Sequence, residues 1–519
     1  MVRIVLTTDR TLMSEYRHIP LGDFAGCAPP NRFPRALFDF IAPQLPASNG
    51  LAIRAPYGLR KLEAALLKGF PEEEVVVAHP DYVEEFIGPD TKIVGVNTMD
   101  PLGLGPVSKL FTWGGPGYYS YTMLGFYTII RRIQSIRERR GLKFKLVVGG
   151  AGAWQFENRE EVARRLNIDH VVMGEVDHIA PQLFQQIEND DLPELIKIRS
   201  YPKPEEIVPI VRPSLHALVE VMRGCGRNCQ FCEATMRVAR YIPLETIKKE
   251  LDVNTAHGLT NAWVQSDDIF LYDVQDKRTF MPNRDSLVNL FKTIMSHKGI
   301  KHSNPTHGSI APAAADPLMI KKLSEILRAG PNSYVGIQPG IETGSIRLIK
   351  KYMSQKVKPF QPEEWWDVVV EGTKVFNENY WFPAYTLVLG LPEEEEEDIW
   401  DTVRLIAYLE EKLPELLGEK AHFVVTPLSF VPVGVLRGKE FYNPKGFSEA
   451  EFCLLYRCWR HSLLEVQRLS INFFKMHPAF RAVFYPLLRL GLYAAIDRLR
   501  AWGKSMGYDP EKPLRIRHN

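Results

Sequence analysis

Short apolar runs rich in Val and Ile alternate with longer amphipathic stretches through residues 1–190. The runs fall at 3–7, 51–54, 74–78, 92–97, 144–148 and 170–173, and helical periodicity fits 34–42, 59–67, 121–140 and 160–166. Such alternation predicts βαβ units and hence a doubly wound, Rossmann-like parallel sheet, with its ligand crevice at the carboxyl ends of the strands. From about 189 to 213 the chain turns acidic and Pro-rich, with Pro202, Pro204, Pro209 and Pro213 blocking long elements, which predicts a linker over 191–215. A second series then sets strands at 217–222, 262–265, 301–309, 334–338, 381–389 and 421–428, with helices at 244–254, 284–297, 317–329, 362–377 and 395–415 between them. Six βα units predict a partial (β/α)6 barrel over 216–437, whose chemistry belongs at the C-terminal strand ends. Long periodic segments at 448–469 and 478–502 predict a helical C-terminal region over 438–519. The fold class is therefore α/β throughout, closed by helices.

A length of 519 residues allows two to four domains at roughly 100–200 residues each. With 64 basic against 62 acidic side chains the formal charge is only +2, so no chain-wide basic field points to a nucleic-acid partner. The N-terminus lacks a charged start leading into an apolar stretch, and nowhere do about 18 uncharged apolar residues run together. A non-secreted, cytoplasmic protein that does not span a membrane is expected. The region from Ile471 onward is densely aromatic (Phe473, Phe474, Phe480, Phe484, Tyr485, Tyr493) and carries nine Lys or Arg against three acidic residues. Two readings stay open: a helix packed over the barrel's open side, or a basic amphipathic helix making peripheral contact with an anionic membrane.

Three loops after strands of the first series place small residues where a ligand can approach backbone: Thr98 and Met99 in 97–103, Gly149, Gly150 and Ala151, and Gly174 with Glu175. None has the G-x-G-x-x-G spacing, and no phosphate-binding G-x-x-x-x-G-K-[ST] occurs, which disfavours NAD and ATP. The alternative is that these glycines serve tight turns.

Of six cysteines, three crowd into eight positions after the first barrel strand: Cys225, Cys229 and Cys232, in C-x3-C-x2-C spacing. Thiolates so spaced can share one face of an iron–sulfur cube and leave one iron without a protein ligand. A structural zinc site wants four ligands, and no fourth Cys or His lies at a suitable spacing nearby. Phe231 can shield such a cluster from solvent. Cys27, Cys453 and Cys458 read as buried thiols.

The loop Cys225, Cys229, Phe231, Cys232 resembles the hallmark C-x3-C-x-aromatic-C of the radical S-adenosylmethionine (radical SAM) superfamily. Further segments are similar to family motifs. Gln265-Ser266-Asp267-Asp268 lies where the family places groups near the SAM amino group. The stretch from Gly340 to Ser345, with Glu342, Gly344 and Ser345, resembles a segment associated with the SAM ribose and methionine portions. Leu389-Gly390-Leu391-Pro392 resembles a turn after strand five, with Glu393 where a Gly is usual. A doubly wound domain before the cysteine loop is the arrangement of cobalamin-domain radical SAM enzymes, the class B methylases, and the similarity covers about residues 1–435. It implies a [4Fe-4S] cluster on Cys225, Cys229 and Cys232, SAM near Phe231, Asp267, Glu342, Gly344 and Ser345, and cobalamin among Thr98, Met99, Gly149, Gly150, Ala151, Gly174 and Glu175. No Asp-x-His-x-x-Gly signature is present, so the resemblance implies either cobalamin without a protein histidine on cobalt or a domain that has lost it.

What the resemblance implies for activity is reductive cleavage of SAM and methyl transfer to an unactivated carbon of a small-molecule or lipid substrate, with an electron donor such as ferredoxin or flavodoxin. Two alternatives are carbon–carbon bond formation, cyclisation or rearrangement on the same scaffold, with a membrane lipid as one substrate class, and a non-catalytic iron–sulfur or cobalamin sensor. Asp267 and Glu342 carry carboxylates able to accept from an ammonium or ribose hydroxyl, or else are strand-end acids. Thr306, His307, Tyr57, Tyr118, Tyr119 and Tyr385 are further candidates for pocket walls, or ordinary core and cap residues.

Overall fold

A computed structural model describes residues 2–19, 22–112, 119–442, 446–473 and 478–517. Tyr118, Phe474 and Lys475 lie outside the described residues, as do the side chains of Phe473, Phe480 and Phe484. The chain forms two compact units, Met1–Val221 with Arg240–Val264 and Ser296–Ser303, and Met222–Ala239 with Gln265–Met295 and Asn304–Asn519.

In the first unit six strands, β1 (Ile4–Thr8), β2 (Val75–Val77), β3 (Ile93–Asn97), β4 (Lys145–Gly149), β5 (His170–Met173) and β6 (Leu195–Lys197), lie in the order β2-β1-β3-β4-β5-β6. Every pairing is parallel. Period-two alternation sends Ile4 and Leu6 into one core with Val75, Val77 and Ile93, and Val5 into another with Val94, Val96 and Val148. Both faces are thus covered, which is why β1 reads as a continuous apolar run. The first core takes Leu59, Ala65 and Leu66 of α1 (Tyr57–Leu66), and the second takes Phe126, Ile129, Ile130 and Ile133 of α2 (Tyr121–Arg140). Each such large apolar side chain contributes about 1.5–3 kcal/mol on burial. Ser120 caps α2 by accepting from the Met123 amide at 3.2 Å, and Gly141 ends it with φ 61° in the left-handed region. A third helix, α3 (Ala180–Glu188), joins the first core through Leu183, Phe184 and Ile187.

The expected strand at 51–54 does not enter this sheet. Leu51–Ala52 pairs antiparallel with Ala47–Ser48, because Asn49 and Gly50, with φ of 48° and 76°, form a two-residue hairpin turn. The expected linker also begins too early, since β6 extends the sheet to Lys197. Three strands of the second series, β7 (Leu218–Glu220), β8 (Asn261–Gln265) and β9 (His302–Pro305), form a sheet in the order β9-β8-β7. Helix α4 (Leu244–Ala256) belongs to the first unit rather than to a unit beginning at 216. Its buried Glu250 accepts from Lys61 Nζ at 2.5 Å and from Tyr57 Oη at 2.8 Å.

In the second unit β12 (Trp381–Leu389) pairs in parallel with β10 (Val335–Ile337), β11 (Gly340–Glu342) and β13 (Val424–Ser429). Asn304 ties its strand to β10 by donating to and accepting from the Gly336 backbone at 2.8 Å, and His307 bridges Gln338 in parallel. Between β11 and β12 lie α5 (Ile346–Tyr352) and α6 (Trp365–Glu378), and α7 (Glu396–Leu417) follows β12. The last strand, β13, is covered by α8 (Glu449–Phe473). Ser462 Oγ accepts from the Val425 amide at 3.0 Å, and His461 stacks on Phe423 with ring centroids 4.1 Å apart. Packing on β13 is thus met by α8, while α9 (Pro478–Ser505) packs on α8 through Trp502 against Phe452. Among the described residues no helix is long and apolar enough to cross a membrane.

Candidate functional site

The cysteine loop is held by side chains that leave it little freedom. Gly224 has φ +78°, and a Cβ there would stand 2.6 Å from the Arg237 carbonyl oxygen, so only glycine fits; its amide donates to Asp267 Oδ2 at 2.5 Å. Arg227, between the first two cysteines, is 3% exposed. It donates through Nε to Asp268 Oδ2 at 3.3 Å and through Nη1 to the carbonyls of Gln355 and Lys356 at 2.9 and 3.1 Å, while its guanidinium lies over the Phe280 ring. Asp268 in turn accepts from the Ser309 amide and hydroxyl at 3.0 and 2.5 Å. The Gln230 amide donates to the carbonyl of Tyr352, and the Gln230 carbonyl accepts from Val435. A buried cation paired through Nε and Nη1, with Nη2 alone lacking a partner among the described residues, costs several kcal/mol to remove, so the loop is locked rather than merely placed.

Cys225, Cys229 and Cys232 line a cavity of about 310 Å3 together with Phe231, Asp267, Glu342 and Lys356. That volume is within the ~300–1,000 Å3 of small-molecule sites. Lys356 Nζ donates to Glu342 Oε1 at 2.8 Å, and both side chains are buried. Glu342 sits at φ +59°, and a Cβ at Gly340 would overlap its carboxylate, so the glycine at 340 is what lets this acid fold back over its own strand. Burial works against the Lys356 cation, but the Glu342 carboxylate and the Cys229 thiol outweigh it and hold its pKa above the ordinary lysine value. Burial pushes the Cys225 thiol up to about 11 and Cys229 up to about 12, and raises Cys232, with Lys356 opposing the rise at Cys229. Burial likewise lowers the pKa of His307, which lines the same cavity.

Among the described residues no three His, Cys, Asp or Glu side chains converge as they would on a single metal ion. Thiolates that bind separate irons of a cube do not need to converge on one point, and three thiols around one cavity beside a fixed cation suit an anionic cluster better than a lone ion. The residues present therefore fit a [4Fe-4S] group.

Other predicted residues fall differently. Gly344 and Ser345 do not line the cavity. The Gly344 amide donates to Thr402 Oγ1 at 2.9 Å and a Cβ there would overlap the Asp401 carbonyl oxygen, while Ser345 caps α5 and donates to Asp398 Oδ1 at 2.5 Å. Tyr57 is committed to Glu250, Tyr385 is buried against Thr373 Oγ1 at 2.6 Å, and Tyr119 is exposed. Arg227 and Lys356 carry much of the site, yet sequence reasoning singled out neither. Arg227 lay within the motif and needed only the question of what a charge there pairs with. Lys356 is 124 positions from Cys232 and gives no local signal.

Along the carboxyl edge of the six-stranded sheet a second arrangement appears. Its strand order changes direction between β1 and β3, the position where open α/β sheets bind ligands. There Thr98 is buried with Oγ1 lacking a hydrogen-bond partner, and Met99 beside it is 55% exposed. The Thr98 amide donates to the Gly149 carbonyl at 2.9 Å. Gly150 and Gly174 are exposed at φ +98° and +111°, and a Cβ on either would press into Thr98 or Ile198 backbone. Ala151 is exposed, and Glu175 is held by both terminal nitrogens of Arg240 at 2.9 and 2.7 Å. An orphaned hydroxyl beside loops stripped of side chains suits a large ligand that takes hydrogen bonds from protein edges.

Residues 219–406 match the family model described as the Radical SAM superfamily. A curated relative, the tRNA-2-methylthio-N(6)-dimethylallyladenosine synthase of Vesicomyosocius okutanii subsp. Calyptogena okutanii (strain HA), is 20% identical over 276 residues, 50% of this chain. The match spans 57% of that relative's length. Among solved structures, the radical S-adenosylmethionine methyltransferase TsrM from Kitasatospora setae, with cobalamin and [4Fe-4S] cluster bound, is similar with a TM-score of 0.51 at 14% identity, covering 87% of this chain and 75% of its own. The same enzyme with tryptophan substrate and the SAM analogue aza-SAM gives a TM-score of 0.51, 14% identity and coverages of 87% and 76%. At that identity the likeness is one of fold.

Proposed function

Residues 219–406 form a radical SAM domain, and on that premise we propose that the chain cleaves SAM reductively and methylates an unactivated carbon, using a [4Fe-4S] cluster on Cys225, Cys229 and Cys232 and cobalamin at the β1/β3 edge. The observation that carries this reading is the cavity in which three thiols face the Lys356–Glu342 pair. The fold shared with TsrM across most of the chain supports the cobalamin half. Bound there, the cluster would supply an electron to the sulfonium and the corrin would supply the methyl group.

The chain's own residues bind and orient. Asp267 and Glu342 present carboxylates that accept hydrogen bonds from an ammonium or from ribose hydroxyls. Asp267 is already fixed by the Gly224 amide, so its free geometry is small and its aim is set before ligand arrives. Phe231 covers the loop and limits water. The electron comes from a one-electron donor of the ferredoxin or flavodoxin kind. At the sheet edge Thr98, Met99, Gly149, Gly150, Ala151 and Gly174 would cradle the corrin and its tail, and Glu175 would hold Arg240 in place.

The deciding experiment incubates anaerobically reconstituted protein with SAM, a reductant and candidate substrates. The expected products are 5′-deoxyadenosine together with S-adenosylhomocysteine. Deoxyadenosine alone would favour bond formation or rearrangement without methylation, and the absence of both would defeat either reading.

A specific observation favours a lipid surface as the place where substrate is met. On α9 the face carrying Leu492 and Ile496 is buried, whereas Leu487 and Leu490 on another face are 62% and 68% exposed, beside Tyr493 with the Arg489 guanidinium over its ring. An apolar stripe flanked by cations matches an anionic membrane surface. Leu487→Glu with Leu490→Glu should abolish sedimentation with anionic vesicles; sedimentation equal to wild type would refute the surface.

A further inference from the structure

Around the cysteines the charged groups come in pairs. Arg227 faces Asp268, Arg237 lies 3.8 Å from Asp267, and Lys356 faces Glu342. The first two pairs have structural work, since Arg227 clips the loop to backbone carbonyls and Asp267 accepts from Gly224. Lys356 has no such duty. It is the backbone carbonyl of Lys356, not its side chain, that Arg227 grips, while its ammonium extends into the cavity and contacts Glu342.

An unshared duty for a buried charge calls for an explanation, because burying an ion pair costs more than packing apolar groups of the same volume. The pair is also held at the expense of backbone strain, Glu342 being in the left-handed region at φ 59°. What distinguishes this place is its neighbours: Lys356 and Glu342 line the same cavity as Cys225, Cys229 and Cys232. A cluster held by three thiolates is an anion that gains one more negative charge on reduction. A fixed cation on the wall of the cavity that holds it stabilises the reduced state more than the oxidised one, and a carboxylate beside it does the reverse.

We propose that the Lys356–Glu342 pair sets the reduction potential of the cluster, Lys356 raising it and Glu342 holding it down. Both act as positioning residues for charge and neither ligates iron. The inference rests on the reading that Cys225, Cys229 and Cys232 hold a [4Fe-4S] group. It adds that a lysine remote in sequence decides how easily that group accepts its electron.

The test is an anaerobic potentiometric titration, followed by electron paramagnetic resonance, of the full-length reconstituted protein without SAM. Lys356→Met is expected to lower the midpoint by a tenfold change in the reduction equilibrium or more, about 59 mV for one electron. Glu342→Gln is expected to raise it, and Lys356→Arg to leave it near the wild-type value. Opposite signs in the first two variants separate charge from packing, because a packing defect has no reason to change sign with the charge removed. An iron-loaded Lys356→Met protein with an unmoved midpoint, or both variants shifting the same way, would overturn the inference while leaving the cluster assignment intact. Wild-type protein that binds no iron would overturn both. Should Lys356→Met fail to load iron, Glu342→Gln decides alone: an upward shift supports the inference and an unmoved midpoint overturns it.

Discussion

The cysteine cavity and the carboxyl edge of the six-stranded sheet position their candidate ligands by opposite means. Around the cysteines the work is done by charged side chains that pair among themselves, Arg227 with Asp268 and Lys356 with Glu342, all buried. At the sheet edge it is done by backbone, with Gly150 and Gly174 in conformations that other residues resist, beside the orphaned hydroxyl of Thr98. The contrast follows from what each place must hold. A small charged cofactor gains from a preorganised field in a low-dielectric pocket. A broad ligand gains from a flat cradle that nothing protrudes into. The first kind of site should therefore fail sharply when one charge goes, and the second should fail gradually as bulk is added.

Predictions that would break or sharpen this contrast run from large to small. Cys229→Ala should abolish the visible absorption of the reconstituted cluster and all SAM cleavage; retained absorption with retained turnover would remove the cavity from consideration. Arg227→Ala leaves Asp268 buried and unpaired, and should cost about 3–5 kcal/mol, read as a lower midpoint in denaturant unfolding. Arg227→Lys should recover only part of it, because the fork to Asp268 and two carbonyls needs a planar guanidinium. Gly150→Val forces a β-branched residue to φ +98° against Thr98 backbone. It should weaken retention of hydroxocobalamin through gel filtration by about tenfold while iron content stays at the wild-type level. Equal loss of iron and cobalamin in that variant would mean that the two sites are not built independently.

The smallest effect concerns Glu394, whose carboxyl is pushed up to about 8 by burial although the Gly390 amide opposes this. Between the ordinary carboxylate range and that value the unfolded chain has released its proton and the folded chain has not. Stability should therefore fall as pH rises through that window. Thermal melts of Glu394→Gln should show a flatter dependence over the same range, and an unchanged slope would remove Glu394 as its source.

Much of the architecture could be read from periodicity. The limits of α2 at 121–140 matched because Ser120 and Gly141 mark them chemically. The sheet strands at 92–97, 144–148 and 170–173 were legible because a strand covered on both faces must be apolar throughout. The hairpin at 47–52 was misread for a physical reason. Leu51 and Ala52 look like any short apolar run, and only the positive φ of Asn49 and Gly50 turns them back on the preceding residues. Of the residues singled out from the sequence, the cysteines, Phe231, Asp267 and Glu342 line one cavity, whereas Gly344 and Ser345 are taken up by capping and packing around α5.

By itself the chain determined its order of strands and helices and the spacing of three thiols, since both are local matters of period and separation along the backbone. Only the tertiary structure decided which charges stand beside those thiols. Lys356 reaches Glu342 because the turn after α5 brings it back over β11, and Arg227 finds Asp268 across a gap of 41 residues. Electrostatic pairing depends on distance in space, is screened beyond roughly 10 Å once salt water is readmitted, and leaves no periodic trace in the sequence.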